Sequence, residues 1–117
     1  MTSDELKDFC AALPGAQAVL YGAPSNILVV EVGGKKFAYF KTSMPEQWRF
    51  SLRVSAERFI ELTDMPGVKP ARYMGRFHWV TIVDVVRFPP DYLAELVQAS
   101  YARAVASLTR AQRAAIA

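Results

Sequence analysis

Cysteine and histidine are almost missing from this sequence of 117 residues, in which Cys10 and His78 are the only examples of their kinds. A lone cysteine cannot form a disulfide within the chain, and one Cys with one His falls short of the ligands of a dedicated zinc site. The sequence also contains no Asp-x-Asp-x loop of the calcium-binding kind. We therefore expect no internal disulfide, no metal site and no cofactor.

Long apolar runs are absent as well. The longest apolar segments, at 27–30 and 80–86, are far shorter than the ~20 residues that a transmembrane helix needs. No charged and then apolar leader follows Met1, and the chain is poor in thiols. We expect a cytoplasmic protein with no membrane partner. Because 52% of the residues are hydrophobic, residues 1–117 can build one core, which predicts a single domain.

The sequence contains no recognisable catalytic set. His78 lies in a predicted strand, and Asp84 is six residues further along the same strand face, too distant for direct contact. Ser55 and Ser100 occupy a helix start and an apolar helix stripe, where capping and packing explain them. Cys10 lies on the apolar side of a predicted helix, as core cysteines do. We assign no catalytic residue and predict that the protein is not an enzyme.

Apolar periodicity predicts an α+β fold on an antiparallel sheet. Gly33-Gly34 supplies the positive φ angles of a two-residue turn between strands at 26–32 and 35–42. The predicted register sets Glu31 opposite Lys36, Val29 opposite Ala38 and Val30 opposite Phe37. The other predicted elements are a helix over 6–13 capped by Ser3, strands at 17–21, 48–54 and 77–86, a short helix after Ser55, a loop at 64–75, a long helix from Pro89-Pro90 to Leu108, and a final helix that begins with a Thr109/Gln112 capping box and frays at Ala117.

Positive charge is unevenly distributed, although the formal net charge is only +3. Residues 35–53 hold five basic residues against the single acid Glu46, and residues 69–76 hold three with no acid. Clustered Lys and Arg attract nucleic acid, because neutralising phosphates releases counterions. The alternative is that these residues are scattered solubilising charges. The residues that we predict to contact phosphate are Lys35, Lys36, Lys41, Arg49, Arg53, Lys69, Arg72 and Arg76.

Four segments, taken in order and at their spacing, form a distinctive set. They are Cys10-x-x-Leu13-Pro14-Gly15; Val32-Gly33-Gly34-Lys35-x-Phe37-Ala38; Pro66-Gly67-Val68-x-Pro70-Ala71-x-Tyr73-Met74 followed by Trp79-Val80; and Leu93-x-x-Leu96-Val97-x-x-Ser100-Tyr101. Together they resemble the MmcQ/YjbR family of small bacterial proteins, from Asp4 to Leu108. The sequence departs from the family pattern at Arg72, which adds a positive charge after Pro-Ala.

The resemblance implies a two-layer sandwich similar to the frataxin-like (CyaY-like) fold, with N- and C-terminal helices packed on one face of an antiparallel sheet. It also implies DNA binding, in which strand-and-loop wings grip the duplex. Frataxin-like proteins deliver iron through a dense acidic ridge, whereas the first helix here offers only Asp4, Glu5 and Asp8. The resemblance is therefore not extended to iron.

Our leading hypothesis is a monomeric, non-enzymatic DNA-binding protein that contacts the phosphate backbone through a basic sheet and loop surface. The competing hypothesis is a protein-interaction or small-ligand scaffold, in which the sheet face away from the helices, or the groove beside Tyr73 and Trp79, receives a partner. Apolar residues on both faces of the predicted hairpin motivate it. The DNA hypothesis requires that basic residues separated along the chain come together.

Overall fold

The computed structural model describes residues 1–116, which fold into a six-stranded antiparallel sheet and four α-helices. The helices are α1 (Ser3–Ala11), α2 (Ala56–Thr63), α3 (Pro90–Ala106) and α4 (Arg110–Ile116). The strands are β1 (Ala16–Tyr21), β2 (Ile27–Val32), β3 (Lys35–Lys41), β4 (Phe50–Arg53), β5 (Val68–Pro70) and β6 (Trp79–Ile82), in the order β1-β2-β3-β4-β6-β5. The predicted fold class is confirmed. The fraying predicted at Ala117 lies outside the described residues.

The main core lies between one face of the sheet and the helices. It combines alternate strand residues with the apolar stripe of α3, of which Leu93, Leu96 and Val97 are almost fully buried. Cys10 of α1 is part of this core, as predicted, and its burial raises the pKa of the thiol to about 12. The remaining strand positions, among them Tyr39, lie on the other side of the sheet, here called the open face.

The β2–β3 hairpin forms where the sequence predicts it. Gly33 and Gly34 both have positive φ, +56° and +80°, and Glu31 lies opposite Lys36. Deeper in the hairpin the predicted register is wrong, because a bulge between Val30 and Glu31 sets Val30 opposite Ala38 and Val29 opposite Tyr39. A bulge breaks strict alternation, which lets the consecutive residues Phe37 and Ala38 both be buried while Lys36 stays exposed.

Two predicted strands are shorter in the structure, and one strand was missed. β4 begins at Phe50, and the centre of its second face is buried, since Ser51 is 1% exposed and hydrogen-bonded to Thr81 at 2.7 Å. β6 begins only at Trp79, because the left-handed His78 (φ +65°) ends a 3₁₀ turn, and a second 3₁₀ turn follows at Val85–Arg87. The segment predicted as a loop contains β5, an edge strand of the kind that tolerates Pro70.

Helix ends follow the capping rules, with one correction. The N-cap of α1 is Thr2 rather than the predicted Ser3, because Thr2 and Glu5 form a reciprocal capping box. Ser55 caps α2 as predicted. The predicted capping box of Thr109 and Gln112 is also confirmed, with hydrogen bonds of 2.8 and 3.2 Å.

Candidate functional site

The strand register places most of the predicted basic residues on the open face. Lys36 pairs with Glu31, and Lys69 pairs with Thr81, which also lies opposite Ser51. By the alternation of side chains along paired strands, five of the eight residues occupy open-face positions. They are Lys36, Lys41, Arg49, Arg53 and Lys69.

Two of these cations bind the Glu46 carboxylate and a third binds the adjacent Pro45 carbonyl, and together they form what is here called the Glu46 cluster. Arg49 Nη1 lies 2.8 Å from Glu46 Oε1, and Lys69 Nζ lies 3.0 Å from the same oxygen. Lys41 Nζ donates to the carbonyl of Pro45 at 2.6 Å. The hydrogen bonds from Lys69 and then Arg49 lower the pKa of Glu46. The cluster therefore holds cations whose charge or donors are already partly used within the protein.

We expect acid to weaken the Glu46 cluster. Because the pKa of Glu46 is below its usual 4.5 in the folded chain, its ion pairs stabilise the fold above that pH. Their contribution is lost as the pH falls through the lowered pKa, and solvent limits it to below about 1 kcal/mol. Urea unfolding should show Glu46→Gln less stable than the wild type near neutral pH. The difference between the two proteins should shrink as the pH is lowered below 4.5, and a difference that stays constant as the pH falls would contradict the assignment.

The other end of the open face is built on aromatic rings. Lys36 Nζ lies 5.2 Å from the ring centre of Tyr39 and 5.3 Å from that of Trp79, and the two rings are 5.6 Å apart. Arg53 lies directly opposite Trp79 in the β4–β6 ladder. The Lys36 ammonium therefore lies over both rings while the residue stays exposed. Lys36 and Arg53 thus meet around the buried Trp79 although they are 17 positions apart in the sequence.

A cleft of about 240 Å³ opens at this end, between the sheet and the C-terminal half of α3. Four cations line it, and no Asp or Glu of residues 1–116 is among its lining residues. We call it the cationic cleft. Its lining residues are Lys35, Lys36, Arg53, Trp79, Ser100, Arg103, Ala104 and Ser107. Arg103 is not among the residues predicted from the sequence, although its position three residues after the buried polar Ser100 places both on one side of α3.

The floor of the cationic cleft is a gap between β3 and β4. Lys41 donates a backbone hydrogen bond to Arg49, so Phe37 and Arg53 would be a hydrogen-bonded pair if the ladder continued. Instead, the Ser100 hydroxyl lies between the backbone groups of Phe37 and Arg53. It donates to the Phe37 carbonyl at 2.6 Å and accepts from the Arg53 N–H at 3.4 Å. One side chain of α3 therefore holds the two strands apart and satisfies both backbone groups.

An adjoining cleft of about 400 Å³ shares Arg53 and Arg103 with the first. Arg58 also lines it and is bound to Glu95 at 2.6 Å, a contact that raises the pKa of the guanidinium. The remaining lining residues are Val54, Ser55, Leu96 and Ala99. Two guanidinium nitrogens, Arg53 Nε and Arg58 Nη1, are buried without a hydrogen-bond partner in residues 1–116. The two clefts together form a groove with unused donors.

The loop between β5 and β6, residues 71–78, carries the last two predicted cations. Arg72 lies 5.1 Å from the ring centre of Tyr73, and Arg76 lies 4.8 Å from that of Phe77. Tyr73 is 83% exposed and has a positive φ of +67°. The Ala71 N–H bonds to the Trp79 carbonyl, so the loop begins and ends beside the strand that faces Arg53. We call this segment the arginine loop.

The residues considered above for catalysis or metal binding do not come together within residues 1–116. Within residues 1–116, no three His, Cys, Asp or Glu side chains lie together as metal ligands would. His78 packs on Phe59 with the ring centres 5.6 Å apart, and Asp84 caps a 3₁₀ turn by accepting from Val86. In the same range of residues, no helix combines the length and apolar character needed to cross a bilayer.

Comparisons with known proteins agree with this architecture. YjbR of Escherichia coli strain K12 is 30% identical over 114 residues, which cover 97% of this chain and 95% of that protein. The crystal structure of Deinococcus radiodurans DR2400, of the DUF419 family, matches with a TM-score of 0.81 and 28% identity over 98% of this chain and 87% of that one. A Pseudomonas syringae protein shares the fold at a TM-score of 0.70 and 16% identity over 89% of this chain and 99% of its own. The family model of YjbR matches residues 11–103, and the chain therefore belongs to the YjbR family.

Proposed function

We propose that this chain is a non-enzymatic DNA-binding protein that contacts the phosphate backbone as a cytoplasmic monomer. The proposal rests on the basic side chains at the hairpin end of the sheet. They come from the β2–β3 hairpin, the end of β4, the arginine loop and α3. None of them makes an ion pair with a carboxylate of residues 1–116. They are Lys35, Lys36, Arg53, Arg72, Arg76 and Arg103.

The eight cations predicted from the sequence divide into two groups in this proposal. A cation free of carboxylates gains its full electrostatic interaction on meeting a phosphate, whereas one already paired must exchange a partner. Lys35, Lys36, Arg53, Arg72 and Arg76 belong to the first group and supply most of the affinity; Lys36 has Glu31 opposite it on β2, but beyond ion-pair distance. The second group, Lys41, Arg49 and Lys69, adds less, because Glu46 and the Pro45 carbonyl already bind it.

Exposed aromatic rings of the arginine loop supply the second part of the proposal. Tyr73 and the 44% exposed Phe77 each lie beside an arginine. Such a pair can stack on a base or sugar while its guanidinium binds the adjacent phosphate. Stacking of this kind is tolerant of sequence, because every base has a π-face. We therefore expect little base preference.

The salt dependence of duplex binding tests this function directly. Fluorescence anisotropy of a labelled duplex should give an affinity that falls linearly in log–log form between about 50 and 300 mM salt. With about six phosphate contacts, the slope should be near −5, since each contact contributes about 0.9. No binding at about 50 mM salt, or binding indifferent to salt, would reject the proposal.

The alternative function, a protein-interaction scaffold, is favoured by the edge strand β1. Leu20 and Tyr21 of that strand are 68% and 47% exposed. A cleft of about 290 Å³ lies beside it, lined by Tyr21, Ile27 and Val29 among others. Exposed edges of this type accept a further strand. Light scattering should show a monomer if DNA binding is the function, and a concentration-dependent dimer lost in Leu20→Lys would favour the alternative.

A further inference from the structure

We propose that the cationic cleft binds one terminal phosphoryl group, held by Arg53, Arg103 and Lys36. Two sources share this chemistry: the phosphorylated end of a DNA strand and a free phosphomonoester. The proposal deepens the proposed function, on which it rests for its setting, because the cleft lies within the surface assigned to DNA. Phosphate binding by the cleft and duplex binding by the surface are measured separately, so either can fail without the other.

The charge of the cleft is the first argument. Lys36 is on β3, Arg53 on β4 and Arg103 on α3, so three elements bring cations to one volume whose lining includes no carboxylate of residues 1–116. Like charges repel one another and so destabilise such an arrangement, unless an anion occupies the space between them. Two guanidinium groups also offer the paired N–H donors that match phosphate oxygens. A terminal phosphoryl group carries up to two negative charges and three free oxygens, and therefore satisfies these donors better than a backbone diester.

The unused donor of Arg53 is the second argument. Its Nε atom is buried and has no acceptor among residues 1–116. Buried donors are almost always hydrogen-bonded in native proteins, so this one requires an acceptor from outside these residues, which a phosphate oxygen would supply. The backbone N–H of the same residue is already bonded to Ser100. Ser100 therefore occupies only the backbone of Arg53, and the guanidinium Nε donor remains available.

The role of Ser100 is to position the cleft rather than to bind the ligand. Its hydroxyl proton is donated to the Phe37 carbonyl, and one lone pair accepts from the Arg53 backbone. It therefore has no proton to offer to a phosphate oxygen. By holding β3 and β4 apart, it keeps open the gap that Arg53 and Lys36 border.

The sizes of the two clefts fit a phosphoryl group in the cationic cleft and the larger rest of the ester in the adjoining one. The cleft volume of about 240 Å³ is below the ~300–1,000 Å³ of pockets for drug-sized ligands, which suits a phosphoryl group alone. The adjoining cleft is larger and is partly apolar, through Val54, Leu96 and Ala99. The remainder of the ester, a nucleoside or another organic group, would lie there. Arg53 and Arg103 border both volumes and so lie where the two parts of the ligand meet.

Titration with inorganic phosphate at constant ionic strength tests the site. NMR should show saturable shifts of the Arg53 Nε–H resonance and of the Phe37 and Arg53 backbone amides, whereas chloride at the same ionic strength should not move them. Arg103→Ala should weaken phosphate binding by about tenfold, the loss expected for one charge-assisted contact. Arg103 is exposed, so this variant should fold. The control Arg110→Ala removes an exposed arginine from α4 and should leave phosphate affinity unchanged.

Oligonucleotides distinguish the two sources. If the ligand is a strand end, a 5′-phosphorylated duplex should bind about tenfold more tightly than the hydroxyl-terminated duplex, and Arg103→Ala should remove the difference. If the ligand is a free phosphomonoester, the two duplexes should bind equally, and a nucleoside monophosphate should saturate the same resonances. Duplex binding with no phosphate response at Arg53 would overturn this inference alone. A phosphate response without duplex binding would overturn the proposed function alone.

Discussion

Replacing Lys35, Lys36, Arg72 and Arg76 together by alanine should lower the affinity for duplex DNA by roughly 4,000-fold at about 0.1 M salt. Each phosphate contact contributes about 0.9 to the salt exponent, which corresponds to about eightfold at that concentration. Four contacts therefore account for about three and a half orders of magnitude. Anisotropy titrations should also show the slope of log affinity against log salt becoming shallower by about 3.6.

The same variant should fold normally, because all four side chains are exposed and none is bonded to a carboxylate of residues 1–116. Its unfolding free energy should stay within about 1 kcal/mol of the wild type. The control Arg110→Ala/Arg113→Ala removes two exposed charges from α4, neither of which lines the cationic cleft. If the control lost as much affinity per charge as the test variant, net charge rather than contact would explain the binding, and the proposed surface would be wrong.

Ser100→Val should destabilise the fold by about 2–5 kcal/mol. Valine is larger than serine and has no hydroxyl, so the Phe37 carbonyl and the Arg53 N–H would both lose their partner. Each buried backbone group left unpaired costs about 1–3 kcal/mol. The strands cannot close to pair with each other, because the added methyl groups would occupy the space between them. Urea unfolding, extrapolated to water, measures the difference.

Ala102→Val is the matched control for this substitution. It introduces the same β-branched residue into α3, but at an exposed position. Its cost should be that of helix propensity alone, below about 1 kcal/mol. If Ser100→Val were no more costly than this control, the Ser100 hydroxyl would not be what holds β3 and β4 apart, and the cationic cleft would need another explanation.

Most of the secondary structure could be predicted from local patterns. The Gly33-Gly34 turn, the Ser55 cap, and the Thr109/Gln112 box depend on residues close in sequence, so the chain shows them directly. The bulge at Val30/Glu31 was missed because alternation counts residues and cannot show that two successive side chains are needed in the core. β5 was missed because prolines exclude a central strand but not an edge strand.

For the candidate site, the sequence could predict which residues are basic but not which of them would lie together. Composition and spacing identified the basic segments, yet nothing local showed that Glu46 would bind Lys69, 23 residues away. Nor did the sequence show that Arg103 would border the same cleft as Arg53, 50 positions earlier. The sign of the charge is a property of each residue, whereas its partner depends on which elements become neighbours.

By itself, the sequence determined the α+β class, the family, and the residues available to bind an anion. Capping, turn chemistry, and helical or alternating periods act over a few residues, so they survive without tertiary information. Only the folded structure decided which cations are neutralised and which remain free, because that choice depends on strand order and on a serine of α3 lying between two strands. Electrostatic interactions fall off within several ångströms, so the arrangement of the elements, rather than the count of charges, determines where an anion can bind.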